Sequence, residues 1–442
     1  MRPVRGRALV SALLLVVSGA CESTAPTPES LNSALAPLLS KAGVTPIEQP
    51  AAPAPALVRL GQALFFDKIL SGSKNIGCST CHNPVYHTSD QLMLSIGTGG
   101  TLPGGERQLG TGSFTPRHAF DLFDRGNPAW HVLMWDGRVA SDSRGLDTPL
   151  GPALPNGLSG PLAAQALLPL LDRVEMRGQG TDDLATIPDS APTTVYAAIM
   201  ARLRAIPGYD SLLAAAYPGA RLDSLRIDAA VNAIAAFITD RWTTGGSPFD
   251  QYLRGDTTAL DPSALRGALL FFGSARCAEC HRGPLLTDQA FHNTGVPVLG
   301  PGLPGGGPDV GRAEVTGNSS DRFLFRTPPL RNVGLTGPYT HNGSFATLEA
   351  VVRHYRNPEV ALRGFDAAAL DPRLRSTLDL SPATVTLVLG TLDPRLVSGI
   401  ALSDSDVADL TAFLLDLTDP ASTILLGDVP PSVPSGLPVA DY

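Results

Sequence analysis

The apolar positions of this 442-residue chain fall into stripes and runs of different kinds. Leu57, Leu60 and Leu64 lie at i, i+3 and i+7, which predicts a helix with one apolar face. Leu225, Ile227, Val231, Ile234 and Ile238 keep the same period and predict a buried amphipathic helix over 223–238 that opens a second structural unit. The run from Ala8 to Val17 is of another kind: it follows Arg2, Arg5 and Arg7 and ends at Ser18, Gly19 and Ala20, just before Cys21. That order is a secretory signal, too short to span a bilayer as a mature helix. A Cys directly after the small residues predicts a lipoprotein signal over 1–21, with Cys21 as the acylated N-terminus. Ordinary cleavage nearby is the competing reading, because Ser18 stands where such signals usually carry Leu or Val.

Residues 22–56, rich in Ala, Pro, Ser and Thr, read as a loose tether. The remaining chain exceeds what one core usually organises, which predicts two domains, 57–220 and 221–420, and a tail over 421–442. The 45 glycines and 40 prolines favour short helices joined by long ordered loops, the longest Gly/Pro stretch being 296–312. A net charge of −8 without a basic cluster argues against nucleic acid as a partner.

The cysteines carry the chemistry. Beyond Cys21 there are two pairs, each followed at once by His: CSTCH at 78–82 and CAECH at 277–281. A redox dithiol does not need the His. A four-Cys zinc site leaves both histidines unexplained, and a disulfide fits a two-residue gap poorly. C-x-x-C-H is the attachment pattern of c-type haem, Cys78 and Cys81, then Cys277 and Cys280, bonding the two vinyl groups while His82 and His281 ligate iron. The approaches repeat as well: LGQALFF at 60–66 and RGALLFF at 266–272 share Gly61/Gly267 and a Phe pair, and Asp90 and Asp288 follow the motifs at similar distance. The expected fold is mainly α, two cytochrome-c-like helical haem domains with long Gly/Pro-rich loops and little sheet.

With WDGR at 135–138, the Gln165 to Glu175 segment, CAECHRGPLLTD and FRTPPLRNVGLTGPYTHNGSFATLEAVVRHY at 325–355, the chain resembles the bacterial diheme cytochrome c peroxidase family, which includes MauG-type enzymes. The resemblance runs from Leu57 to about residue 420. It implies that His82 serves a peroxidatic haem and His281 an electron-transfer haem. It matches Gln165 and Glu175 to a distal acid/base pair, which peroxide chemistry needs because a proton must leave one oxygen and reach the other as the O–O bond breaks. It matches Trp135 to the tryptophan between the haems, and Arg138 becomes a partner for a haem propionate.

Two departures bear on mechanism. Where many members carry a His sixteen residues after the first proximal His, this chain has Thr98, so the first iron is expected to be open; His87 is the fallback ligand. Where others place a Met on the second iron, Tyr355 stands here, as in MauG-type enzymes, with His354 adjacent. A phenolate favours ferric iron and lowers the potential. The family's inter-haem calcium would use carbonyls of Thr336 and Pro338, its Asn being replaced by His118. The implied function is reduction of hydrogen peroxide in the periplasm, with a small c-type cytochrome or copper protein as electron donor and membrane contact only through a lipid at Cys21. The alternatives are peroxide-driven oxidation of a protein substrate, as by MauG-type enzymes, and electron transfer without catalysis.

Overall fold

The structure is a computed structural model that describes residues 27–102, 107–303 and 306–439; the signal segment 1–21 and Cys21 lie outside them. It is mainly helical. The helices of the first half are α1 (Pro28–Lys41), α2 (Pro55–Phe66), the one-turn α3 (Cys78–Cys81), α4 (Pro161–Leu167), α5 (Pro192–Arg204), α6 (Pro207–Ala216) and α7 (Ile227–Arg241). Those of the second half are α8 (Pro248–Leu253), α9 (Pro262–Phe272), α10 (Ala313–Thr316), α11 (Leu348–His354), α12 (Pro358–Arg363), α13 (Pro382–Leu389) and α14 (Asp404–Leu415). Among the described residues, sheet is confined to an antiparallel ribbon of β1 (Val132–Leu133), β2 (Val139–Asp142) and β3 (Gly145–Asp147), and to a pair, β4 (Phe291–His292) with β5 (Phe325–Arg326). The expected mainly α fold with little sheet is the one observed.

The internal repeat is a pair of helix crossings. α2 packs on α7 and α9 on α14, and the shared glycines mark both contact points. A Cβ on Gly61 would lie 1.8 Å from the Ala233 carbonyl oxygen, and one on Gly267 would lie 1.9 Å from that of Asp409. Only a residue without a side chain lets the backbones approach this closely. Around each crossing the repeated Phe pairs close an aromatic cluster: Phe65 and Phe66 with Phe237 and Trp242, and Phe271 and Phe272 with Phe413.

This pairing corrects the sequence reading at three places. The helix expected over 223–238 starts at Ile227, after a 3-10 turn at Leu222–Ser224, and its face of Ile227, Val231, Ile234 and Ile238 packs in the first core. It closes the first unit, as α14 closes the second, so a boundary at 220/221 cuts that unit. The 22–56 tether contains α1, where Leu31, Leu35 and Leu39 supply an i, i+4, i+8 stripe that joins the second core beside α9. The 421–442 tail sends Leu425 and Val433 into the first core, where Ser435 donates its hydroxyl to Asp67 (2.6 Å) and Trp242 Nε1 donates to Asp428 (3.0 Å). The two ends are therefore crossed, the N-terminal helix lying on the second unit and the C-terminal segment on the first.

Candidate functional site

Both histidines of the C-x-x-C-H motifs are oriented alike. His82 Nδ1 lies 3.1 Å from the Thr88 carbonyl oxygen and His281 Nδ1 lies 3.1 Å from that of Leu286. Thr88 and Leu286 both take left-handed backbone (φ 66° and 52°), which turns these carbonyls back onto the rings. Donation from Nδ1 leaves Nε2 as the free ligand atom, the tautomer an axial haem ligand needs. Burial holds both imidazoles at a pKa of about 4, so they remain neutral. No disulfide joins Cys78, Cys81, Cys277 and Cys280.

Around the second motif lies a cavity of about 320 Å³ lined by Cys277, Cys280 and His281, with Phe271, Val352 and Leu410 as apolar wall. Tyr355 lines it too, and burial pushes its phenol above the ordinary range. The neighbouring His354 turns away: its Nε2 lies 2.6 Å from the Thr294 carbonyl oxygen, and it is not part of the cavity wall. Of the two adjacent candidates, Tyr355 is the one at the cavity.

Trp135 sits in the same wall, fixed by its indole N–H to the His118 carbonyl (2.9 Å) and by its own carbonyl, which accepts the Arg326 N–H (2.7 Å). Phe120 stands between it and the first motif, 6.4 Å ring to ring from Trp135 and 5.9 Å from His82. Sequence spacing gave no sign of Phe120. Arg138 lies 3.7 Å from Asp136, and its buried Nε has no hydrogen-bond partner, a nitrogen suited to a haem carboxylate.

Glu175 occupies a single π-helical turn, Arg173–Arg177, capped by Asp172, which accepts the N–H groups of Val174 (2.8 Å) and Glu175 (2.9 Å). The turn is clamped from both sides. Thr98 N–H donates to the Val174 carbonyl (2.8 Å) and Gly72 N–H to that of Met176 (2.9 Å). A Cβ on Gly97 would lie 1.8 Å from Val174 O, and one on Gly72 would lie 1.9 Å from Arg177 O. Burial, then the nearby Asp172, raises the Glu175 carboxyl to about 7, against the pull of Arg138 and Arg117. Gln165, on α4, is buried, and among the described residues no donor reaches its Oε1.

Thr98 is buried and its hydroxyl lies 2.7 Å from that of Ser73, which also bonds Asn75. His87 directs Nδ1 to the Ser422 carbonyl (3.2 Å). Of the residues expected around calcium, His118 gives its Nδ1 to the Leu92 carbonyl (2.8 Å), so with Thr336 and Pro338 offering carbonyls these positions bring no carboxylate to a hard cation, a weak donor set. Sequence reasoning also missed a buried ion network. Arg117 holds Asp309 of the 296–312 loop through Nε (2.6 Å) and Nη2 (2.8 Å), and Asp136 beside Trp135 through Nη1 (2.5 Å). No spacing signal links residues so far apart in sequence.

Residues 55–258 match a family model described as di-haem cytochrome c peroxidase. The methylamine utilization protein MauG of Methylorubrum extorquens is 30% identical over 384 residues, covering 84% of this chain and 91% of its own. A cytochrome c551 peroxidase of Pseudomonas aeruginosa is 34% identical over 308 residues, covering 68% of this chain and 72% of its own. Among solved structures, a MauG-like protein associated with microbial copper homeostasis superposes with a TM-score of 0.59 at 30% identity, over 86% of this chain and 95% of that one.

Proposed function

The chain belongs to the di-haem cytochrome c peroxidase family, and from that premise we propose that it reduces hydrogen peroxide to water with electrons from a small c-type cytochrome or copper protein. The two haem c groups of the family would be held by Cys78, Cys81 and His82 and by Cys277, Cys280 and His281, and when bound they supply the redox chemistry of O–O cleavage. The observation that carries the reading is Glu175: a carboxyl on a turn clamped from two sides, with its ionisation moved to the working pH. A general acid–base is most effective when its pKa lies near the pH of operation. Glu175 takes the proton from one peroxide oxygen and returns it to the other; the Gln165 amide orients peroxide without accepting the proton. Trp135 lies on the route along which electrons reach the peroxide site from the second unit. An electron carrier has no use for a clamped acid/base group, which argues against the non-catalytic alternative.

A second reading, peroxide-driven oxidation of a protein substrate, is favoured by Tyr355 in the wall of the second cavity. A phenolate there disfavours a readily reduced haem and with it electron storage. Among the described residues no helix is long and apolar enough to cross a membrane. We assign the protein to the periplasm, with a lipid on Cys21 as its anchor. Steady-state peroxide consumption by the holoenzyme with reduced cytochrome c, set beside oxidation of candidate protein substrates under the same peroxide flux, tests the assignment. Fast cytochrome-dependent turnover is the expected result. Turnover that ignores the cytochrome but modifies a protein would replace the first reading with the second.

A further inference from the structure

Arg125, Arg326 and Arg331 are buried, and each keeps one terminal guanidinium nitrogen without a hydrogen-bond partner. Arg331 is neutralised by the buried Asp250. The other two converge on one indole. The guanidinium carbons of Arg125 and Arg326 lie 4.6 and 5.0 Å from the ring centre of the buried Trp130, whose own N–H is spent on the Asp124 carbonyl (2.9 Å). Two cations sharing an aromatic partner out of water repel one another, and the carbonyl contacts of Arg326 do not cancel its charge as a carboxylate would. Arg125 has a single carboxylate, Asp121, at 3.1 Å. Among the described residues Arg326 forms no ion pair; its Nε and Nη1 donate to the carbonyls of Met134 and Thr327, both at 2.9 Å, and its Nη2 is the free atom.

The two free nitrogens belong to different cofactor sites. Arg326 lines the second cavity together with His281 and Trp135. Arg125 lies 5.2 Å from the ring centre of Phe120, which is itself 5.9 Å from the His82 ring. Each site would receive a haem, and each haem c brings two propionates, the carboxylates that buried guanidiniums bind best. We propose that Arg326 holds a propionate of the haem at Cys277, Cys280 and His281, that Arg125 holds one of the haem at Cys78, Cys81 and His82, and that their shared stack on Trp130 joins the two cofactor clamps. Each guanidinium favours the reduced state of its haem relative to a neutral side chain in its place, because reduction removes one positive charge from the iron. Removing the cation therefore favours ferric iron at that haem. The inference rests on the two-haem reading but not on peroxidase activity, so haem content, measured as pyridine haemochrome on the same samples, separates the failure of one from the failure of the other.

The test is a spectroelectrochemical titration of holoenzyme carrying Arg326→Gln, Arg125→Gln and the corresponding Lys variants. Arg326→Gln should move the reduction equilibrium of the C-terminal haem about tenfold or more towards ferric, which is about 59 mV for a one-electron couple, with a smaller change at the other haem. Arg125→Gln should give the mirror result, and the Lys variants should stay near the parent. A purely structural role would lower thermal stability and leave both potentials in place; two loaded haems with unmoved potentials in the Gln variants would overturn the assignment. If a Gln variant fails to load haem, its Lys counterpart decides: restored loading supports the charge clamp, and equal loss of loading refutes it.

Discussion

Replacing Glu175 by Gln separates catalysis from stability, because the change removes a charge without removing volume. With its carboxyl raised to about 7, Glu175 is half ionised at pH 7, and each unit below that removes about tenfold of the ionised form. Peroxide turnover should fall along that limb in the parent, and by about 10² to 10⁴ at pH 7 in Glu175→Gln, whose residual rate should be flat with pH. Stability moves the other way. In the unfolded chain the carboxyl ionises near 4.5, while in the fold it keeps its proton to about 7. Between these values the native state binds a proton that the unfolded state has lost, so stability declines as pH rises through the window and is lower by up to about 3 kcal/mol above it. The neutral amide carries no such penalty. Glu175→Gln should therefore melt higher than the parent at pH 8 and together with it at pH 4. The assays are initial rates from pH 5 to 8 with reduced cytochrome, and calorimetric melting at pH 4 and 8. Full activity in the variant would move the acid/base role elsewhere. Lost activity with no gain in stability at pH 8 would refute the claim that burial sets the ionisation of Glu175.

Replacing Cys78 together with Cys81, or Cys277 together with Cys280, by Ala should each reduce haem that resists acid–acetone extraction from two per chain to one, read as pyridine haemochrome. Gly61→Ala and Gly267→Ala should each lower stability by about 1–3 kcal/mol, read as similar drops in melting temperature, because each adds a Cβ less than 2 Å from a carbonyl oxygen across an equivalent crossing. Tyr355→Met should raise the potential of the second haem, measured by redox titration. Because the Thr98 hydroxyl is engaged by Ser73, the fully ferric protein should bind cyanide at once without prior reduction, and Thr98→His should slow that binding; a ferric parent inert to cyanide would mean that another ligand closes the site.

What could be read from the sequence was whatever is local or repeated. The C-x-x-C-H motifs, the Gly61/Gly267 repeat and the helical stripes are short-range patterns, and each corresponds to an observed turn or crossing. The α1 helix was hidden by composition: Pro37 and the surrounding Ala, Pro and Ser read as a tether, although Leu31, Leu35 and Leu39 carried the period. The α7 stripe was seen but assigned to the wrong unit, since periodicity gives a face and not its partner. The π-helical turn under Glu175 depends on Gly72 and Gly97 arriving from remote loops. Arg117 with Asp309, and Arg125 with Arg326 around Trp130, join positions about two hundred residues apart, which no window along the chain connects.

The crossed ends set an order of events during synthesis. A chain made from its N-terminus offers the first attachment motif at 78–82 long before residues 425–435 exist. Until those residues arrive, the Asp67 carboxylate lacks the Ser435 hydroxyl, and the Trp242 indole and the Gln62 amide lack their acceptors on Asp428. The unit that begins first is thus the last to be finished. The second unit has its own debt to the beginning of the chain, since Leu31, Leu35 and Leu39 must still be attached to cover α9. Cutting the chain between the two units would yield two fragments, each missing a part that travels with the other, so maturation should involve the whole polypeptide.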